Sequence, residues 1–192
     1  MKTINSFLQL ALLVTIGLGV WSCGDDTQGN TVDKPGATAT QTAGRPDAKL
    51  VSEKWLRGQF PVQLGSQKLN QSGATTTQLG AVEVTKAQAT FGDEKATIVA
   101  ITDLGKLGSN LGGVTPWLGK ELNIADGASF QRTSYIENYP SLETYNAEEA
   151  LATVSVLVGN RFLVAATSKE WKTSQLRDAV ATMELDDLAK GE

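Results

Sequence analysis

The clearest alternation in the chain runs from Ala81 to Phe91. On an extended backbone, Val82, Val84, Lys86, Gln88 and Thr90 fall on one face. Ala81, Glu83, Thr85, Ala87, Ala89 and Phe91 fall on the other. After a turn at Gly92-Asp93-Glu94-Lys95, Ala96 to Thr102 is a continuous β-branched run, the pattern of a central strand covered on both faces. These two segments predict an antiparallel hairpin. Phe130 to Ile136 and Ser141 to Tyr145 predict two further strands around Glu137-Asn138-Tyr139-Pro140. Leu151 to Val158 and Arg161 to Ala166 predict another pair across Gly159-Asn160, a two-residue connection typical of tight hairpins.

Helical spacing appears in three places. Ala48 to Leu56 predicts a short helix that stops at Phe60-Pro61, because proline lacks a donor and restricts the residue before it. Leu104, Leu107, Leu111, Val114 and Leu118 recur at helical intervals, but Gly105, Gly108, Gly112 and Gly113 weaken that helix, each by about 1 kcal/mol against alanine. Pro116 should start a last turn carrying Trp117. At the C-terminal end, Thr173 is placed to cap a helix burying Leu176, Val180 and Met183, and Asp186 to cap a turn holding Leu188. Gly65 to Gly80 reads as loop or a weak first strand. The expected fold class is α+β: an antiparallel β-sheet of about six strands flanked by a Gly-rich helix and a C-terminal helix.

Composition narrows the chemistry. The 192 residues carry 17 Lys and Arg against 21 Asp and Glu, a net charge of -4, so there is no basic footprint for nucleic acid. The chain has no histidine and one cysteine. A Ser-His-Asp or Cys-His arrangement, a His-containing metal or haem site, an internal disulfide and a Cys-based cluster are therefore all excluded. No cofactor and no metal is expected.

The N-terminal segment reads as an address. Lys2 precedes an uncharged apolar run from Phe7 to Val20, which is short for a membrane-spanning helix. The run ends in Val20-Trp21-Ser22-Cys23, which resembles the lipobox of bacterial lipoproteins; Trp21 departs from the small residue usual at its position. The resemblance implies a signal peptide over 1–22 and a diacylglycerol-modified Cys23 as the first mature residue, with the membrane as partner through that lipid. Residues 23–48 hold almost nothing that could enter a core and read as a lipidated flexible tether, with a coil reach of roughly 25–30 Å. Residues 49–192 form the expected single domain. Gly24 rather than aspartate follows Cys23, which favours the outer membrane if the envelope is of the Gram-negative kind.

Within the domain, Ile101-Thr102-Asp103, the Tyr145 strand, Val154-Ser155-Val156-Leu157-Val158 with Arg161-Phe162, and Leu176…Leu185…Leu188 are similar to bacterial envelope lipoprotein domains, and the overall pattern loosely resembles the PsbP/Mog1-like α+β sandwich. That resemblance implies a fold and no activity.

Candidate chemistry is sparse. Asp103, Glu137 and Glu143 lie near strand ends, and a convergent pair would suit a carboxylate-dependent hydrolase. Tyr135, Tyr139 and Tyr145, with Trp117, are candidates to line a pocket for a sugar or peptide; on an extended backbone Tyr135, Glu137 and Tyr139 would share a face. Arg161 is a candidate anion contact or a partner of Glu137 or Glu143. Gly108 to Gly113 lacks the Gly-Lys-Ser/Thr ending of a phosphate loop, Asn123 to Asp126 falls short of a calcium loop, and Ser168-Lys169 are adjacent rather than spaced as a dyad. The resulting expectation is a membrane-tethered, non-catalytic binding or structural module with an envelope protein or glycan as partner. The alternatives are an envelope hydrolase with a carboxylate pair and a carrier of a small apolar ligand held under the Gly-rich helix.

Overall fold

The computed structural model describes residues 49–93 and 96–191. The expected signal peptide, Cys23 and the tether lie outside the described residues.

A short helix, α1 (Glu53–Gly58), opens the domain, with Ser52 Oγ accepting from Trp55 N–H at its N-terminus. Then come β1 (Gln63–Leu64), β2 (Gln67–Leu79), β3 (Val82–Phe91) and β4 (Thr97–Asp103), a 3₁₀ helix (Gly105–Gly113), and β5 (Asn123–Asp126), β6 (Ser129–Ile136), β7 (Tyr139–Asn146), β8 (Leu151–Val158) and β9 (Phe162–Ser168). Helices α2 (Thr173–Ala181) and α3 (Leu185–Lys190) close the chain. The strands form one antiparallel sheet in the order β1-β2-β3-β4-β9-β8-β7-β6-β5. Two meanders, β1–β4 and β5–β9, are joined along β4 and β9.

This corrects the expected fold class. The domain is β-rich: nine strands rather than about six, with only short helices. β1, β2 and β5 are the additions. β2 spans 13 residues yet carries few apolar side chains, because most of it lies exposed at the outer side of the sheet. β5 is exposed at all four positions. The Gly-rich segment keeps its inward leucines but winds as a 3₁₀ helix, in keeping with glycines that disfavour regular α-helix. Thr173 is the first helical residue of α2 rather than its cap; the Lys172 N–H before it is satisfied by Gln175 Oε1 at 3.0 Å.

The two faces of the sheet are covered differently. On the first, Ala87, Ala89 and Phe91 of β3, Val99 and Ile101 of β4, Val164 and Ala166 of β9 and the even-numbered valines of β8 meet Leu56 of α1, Leu176 and Val180 of α2 and Leu185 and Leu188 of α3. The second face is covered mainly by the connection from β4 to β5. Leu104, Leu111 and Trp117 pack there on Val84 and Leu157, flanked by Leu142 and Leu163. The space beneath the 3₁₀ helix is thus filled by side chains. The Gly159-Asn160 turn has positive φ at both residues and closes through Arg161 N–H to Val158 C=O at 3.0 Å, as hairpin twist requires. Gly65 turns β1 into β2 at φ +54, and an added Cβ would lie 2.8 Å from the Trp171 ring, so no side chain fits there.

Candidate functional site

Two fully buried carboxylates organise the polar chemistry of the sheet. Asp103 ends β4, and its side chain is 0% exposed. It accepts from Arg161 Nε (2.9 Å) and Nη2 (2.8 Å), from Val51 N–H (2.9 Å) and from Gly105 N–H (2.9 Å). Arg161 also donates to Lys49 C=O and lies over the Phe162 ring, 4.9 Å from its centroid. The hydrogen bonds it donates to Asp103 hold Arg161 above the usual guanidinium range. The arrangement pins the incoming chain at Lys49 and Val51 to the start of the 3₁₀ helix. Arg161 pairs with neither Glu137 nor Glu143.

Glu143 lies mid-strand on β7, also 0% exposed. Register places it opposite Arg132 of β6, whose Nε donates to Oε2 at 3.0 Å. Ser134 Oγ donates to Oε1 at 2.8 Å and also lies 2.8 Å from Ser141 Oγ. Arg177 reaches in from α2, giving one N–H to Oε1 at 3.2 Å and another to Tyr135 C=O at 2.8 Å. One buried anion therefore holds two guanidiniums side by side, with 46% and 40% of their side chains exposed. Arg132 also lies over the Phe130 ring at 5.4 Å. With its oxygens engaged by both arginines and Ser134, Glu143 orients neighbours rather than reaching a substrate.

Next to this cluster the sheet edge is notched. β5 pairs only with Ser129–Arg132 of β6. Beyond it, Leu122 holds the edge through Leu122 N–H to Thr133 Oγ1 (2.9 Å) and Thr133 N–H to Leu122 C=O (3.0 Å). The remainder of β6 borders a cleft of about 690 Å³ lined by Trp117, Lys120, Arg132, Ser134, Tyr135 and Pro140, among others. Tyr135 is 64% exposed, whereas Trp117 is 6% exposed and forms the wall of the cleft rather than a free ring.

Of the residues singled out from sequence, Tyr135 and Trp117 thus meet at one cleft. Tyr139 and Tyr145 lie on the helical face of the sheet, packed against its core. Tyr139 Oη donates to Asp186 Oδ1 at 2.7 Å, tying α3 to β7, and Tyr145 tilts against Phe130 with ring centroids 6.2 Å apart. Tyr135, Glu137 and Tyr139 do not share a face. The chain reverses at Glu137-Asn138, so Ile136 stands opposite Tyr139 and Tyr135 opposite Pro140. Glu137 is exposed in that turn at φ +54. Asp103, Glu137 and Glu143 keep separate surroundings: Asp103 with Arg161, Glu143 with Arg132 and Arg177, and Glu137 at the turn. Ser168 Oγ accepts from Glu170 and Trp171 N–H and from Thr97 Oγ1, so it organises a turn. Among the described residues, no group of three or more His, Cys, Asp and Glu gathers, and no helix is long and apolar enough to cross a membrane. Arg132 and Arg177 were not singled out from sequence.

The Tyr139 contact sets a pH dependence. Burial first, then the hydrogen bond to Asp186, push the Tyr139 hydroxyl up to about 12, against about 10 in an unfolded chain. The folded state holds this proton more tightly. Its contribution is complete below pH 10 and is lost as pH rises through 12. Denaturant unfolding from pH 9 to 12 should show a decline that is shallower in Tyr139→Phe; identical slopes would remove Tyr139 as a source.

No family model matches the chain, and neither curated proteins nor solved structures include a significant match.

Proposed function

We propose that the chain is a lipid-anchored, non-catalytic binding module of the cell envelope, with its ligand seated in the cleft at the β6 edge. The observation that carries the binding half is that cleft. An exposed ring, the partly exposed Arg132 guanidinium and Lys120 line a concavity left where β5 stops short of the end of β6. Binding sites are typically concave and place a few polar groups on an apolar wall; here Trp117 and Pro140 supply the wall. The anchoring half rests on Val20-Trp21-Ser22-Cys23 and on the core-poor stretch that follows it. The absence of histidine from the whole chain, and the engagement of both buried carboxylates by arginines, weigh against a hydrolytic role. The packed leucines beneath the 3₁₀ helix weigh against an apolar carrier.

The two halves separate in one experiment on native protein solubilised in mild detergent. Intact mass is expected to show a chain beginning at an acylated Cys23; a retained Met1 or an unmodified thiol overturns the anchor. Hydrogen exchange with purified envelope glycans added is expected to slow at residues 117–123 and 132–141. Unchanged exchange there, with each envelope polysaccharide and with peptidoglycan fragments, overturns the assignment of the cleft. If the envelope is of the Gram-negative kind, fractionation should place the protein in the outer membrane, and recovery solely in the cytoplasmic membrane overturns that placement.

A further inference from the structure

We infer that the cleft selects an acidic oligosaccharide lying over the edge of β6, with a carboxylate held by Arg132 and Lys120 and a sugar ring laid against Tyr135; this rests on the cleft being the binding site.

The charge count comes first. Glu143 is shared by Arg132 and Arg177, so the cluster carries one positive charge beyond its own neutralisation. Arginine offers five N–H donors in a planar fork. Glu143 takes two donor groups of Arg132, Nε and Nη2. Arg177 spends one N–H on Glu143 and one on Tyr135 C=O. Both side chains therefore reach solvent with donors to spare, while a buried anion and, for Arg132, the Phe130 ring fix where they point. A guanidinium held in place loses less entropy when it binds a planar oxyanion. Lys120 lines the same cleft and adds a second cation, next in the chain to Glu121, the acid of that lining.

The rest of the lining favours a sugar over an extended peptide. A peptide would dock at this edge by adding a strand, which needs free backbone groups on β6. Two of those groups are already engaged: Thr133 N–H bonds to Leu122 C=O, and Tyr135 C=O accepts from Arg177, which interrupts the ladder a peptide strand would need. Side chains remain, namely the exposed Tyr135 ring beside its cross-strand neighbour Pro140, with Ser134 and Asn123 elsewhere on the lining. An aromatic face beside hydroxyl and amide groups suits the mixed apolar and polar surface of a pyranose.

The test is calorimetric titration of the detergent-solubilised full chain with a galacturonate trimer and with the neutral galactose trimer of the same linkage. Acetate and inorganic phosphate serve as free oxyanions. The acidic trimer is expected to bind at least about tenfold more tightly than the neutral one, as one or two charge-assisted hydrogen bonds provide, and to weaken as salt is raised. Arg132→Gln should remove the preference. Because Arg132 also partners Glu143, Lys120→Ala and Tyr135→Ala carry the test at exposed positions: the first should narrow the preference, and the second should weaken both trimers. Equal affinity for the two trimers, with exchange protection at the cleft, overturns acidic selection and leaves the binding site standing. Acetate or phosphate binding as tightly as the acidic trimer overturns the saccharide. No binding of either trimer overturns the inference, and the exchange experiment with whole envelope glycans then decides the cleft separately.

Discussion

Replacing Asp103 by alanine is expected to destabilise the domain by about 3–5 kcal/mol, the range found when one member of a buried ion pair is removed. The loss is more than one ion pair. Four donors converge on this carboxylate: two from Arg161 and the N–H groups of Val51 and Gly105. Alanine leaves the two backbone N–H groups in a buried setting with no acceptor, and each such group costs about 1–3 kcal/mol if it stays dry. Asp103→Asn should be milder but still damaging, because its amide presents donors where Arg161 also donates. Urea unfolding measures the total. Hydrogen exchange locates it: protection should fall first at Val51, Gly105 and Leu107. A loss under about 1 kcal/mol, or one spread evenly over the sheet, would show that Asp103 does not hold the entry segment.

Glu143→Ala is expected to be costly too, by a different route. Here no backbone N–H is orphaned; two guanidiniums lose their shared anion. Two charges drawn to one carboxylate repel once it is gone, but solvent reaches both, so the loss should be about 1–3 kcal/mol. It should lessen at high salt, because both arginines are partly exposed. A triple replacement, Arg132→Leu with Glu143→Leu and Arg177→Met, separates repulsion from lost attraction. Apolar replacement of a buried ion cluster is often neutral or stabilising. Recovery in the triple variant identifies the unpaired charges as the source. A triple variant as unstable as Glu143→Ala would assign the loss to packing around the strand instead.

The hairpins of the central sheet were legible because their signals are local. The unbroken Ala96–Thr102 run marked the strand that lies between β3 and β9, and Gly159-Asn160 marked a turn that only positive φ can make. β2 was legible only as loop or a weak first strand, and β5 not at all, since an exposed strand at the side of a sheet has no apolar alternation to display. In β2, only the β-branched run Thr75-Thr76-Thr77 hinted at extension. The Arg161 partner was out of reach because it lies 58 residues away, joined only through the fold. The Arg132–Glu143 pair was within reach. Once the turn sets Ile136 opposite Tyr139, counting outward along both strands places Arg132 opposite Glu143. Arg177 comes from a helix whose docking no strand register supplies. The expectation that Tyr135 and Tyr139 share a face failed for the same reason that the register could be counted: the turn falls between them.

Every ladder of the sheet except one joins strands consecutive in the chain; the exception is β4 with β9, whose paired residues lie roughly 60 residues apart. The two halves of the sheet therefore assemble from nearby partners, and the join between them is the step that waits on long-range closure. Until it closes, two apolar strands stand as open edges, each a template for the matching strand of another molecule. The segment between them, from Leu104 to Leu122, is the hinge across which two chains would exchange halves. Stability of the finished sheet and safety of its assembly thus depend on different residues: the first on the buried carboxylates, the second on how quickly the leucines of that hinge settle onto β8 and β9.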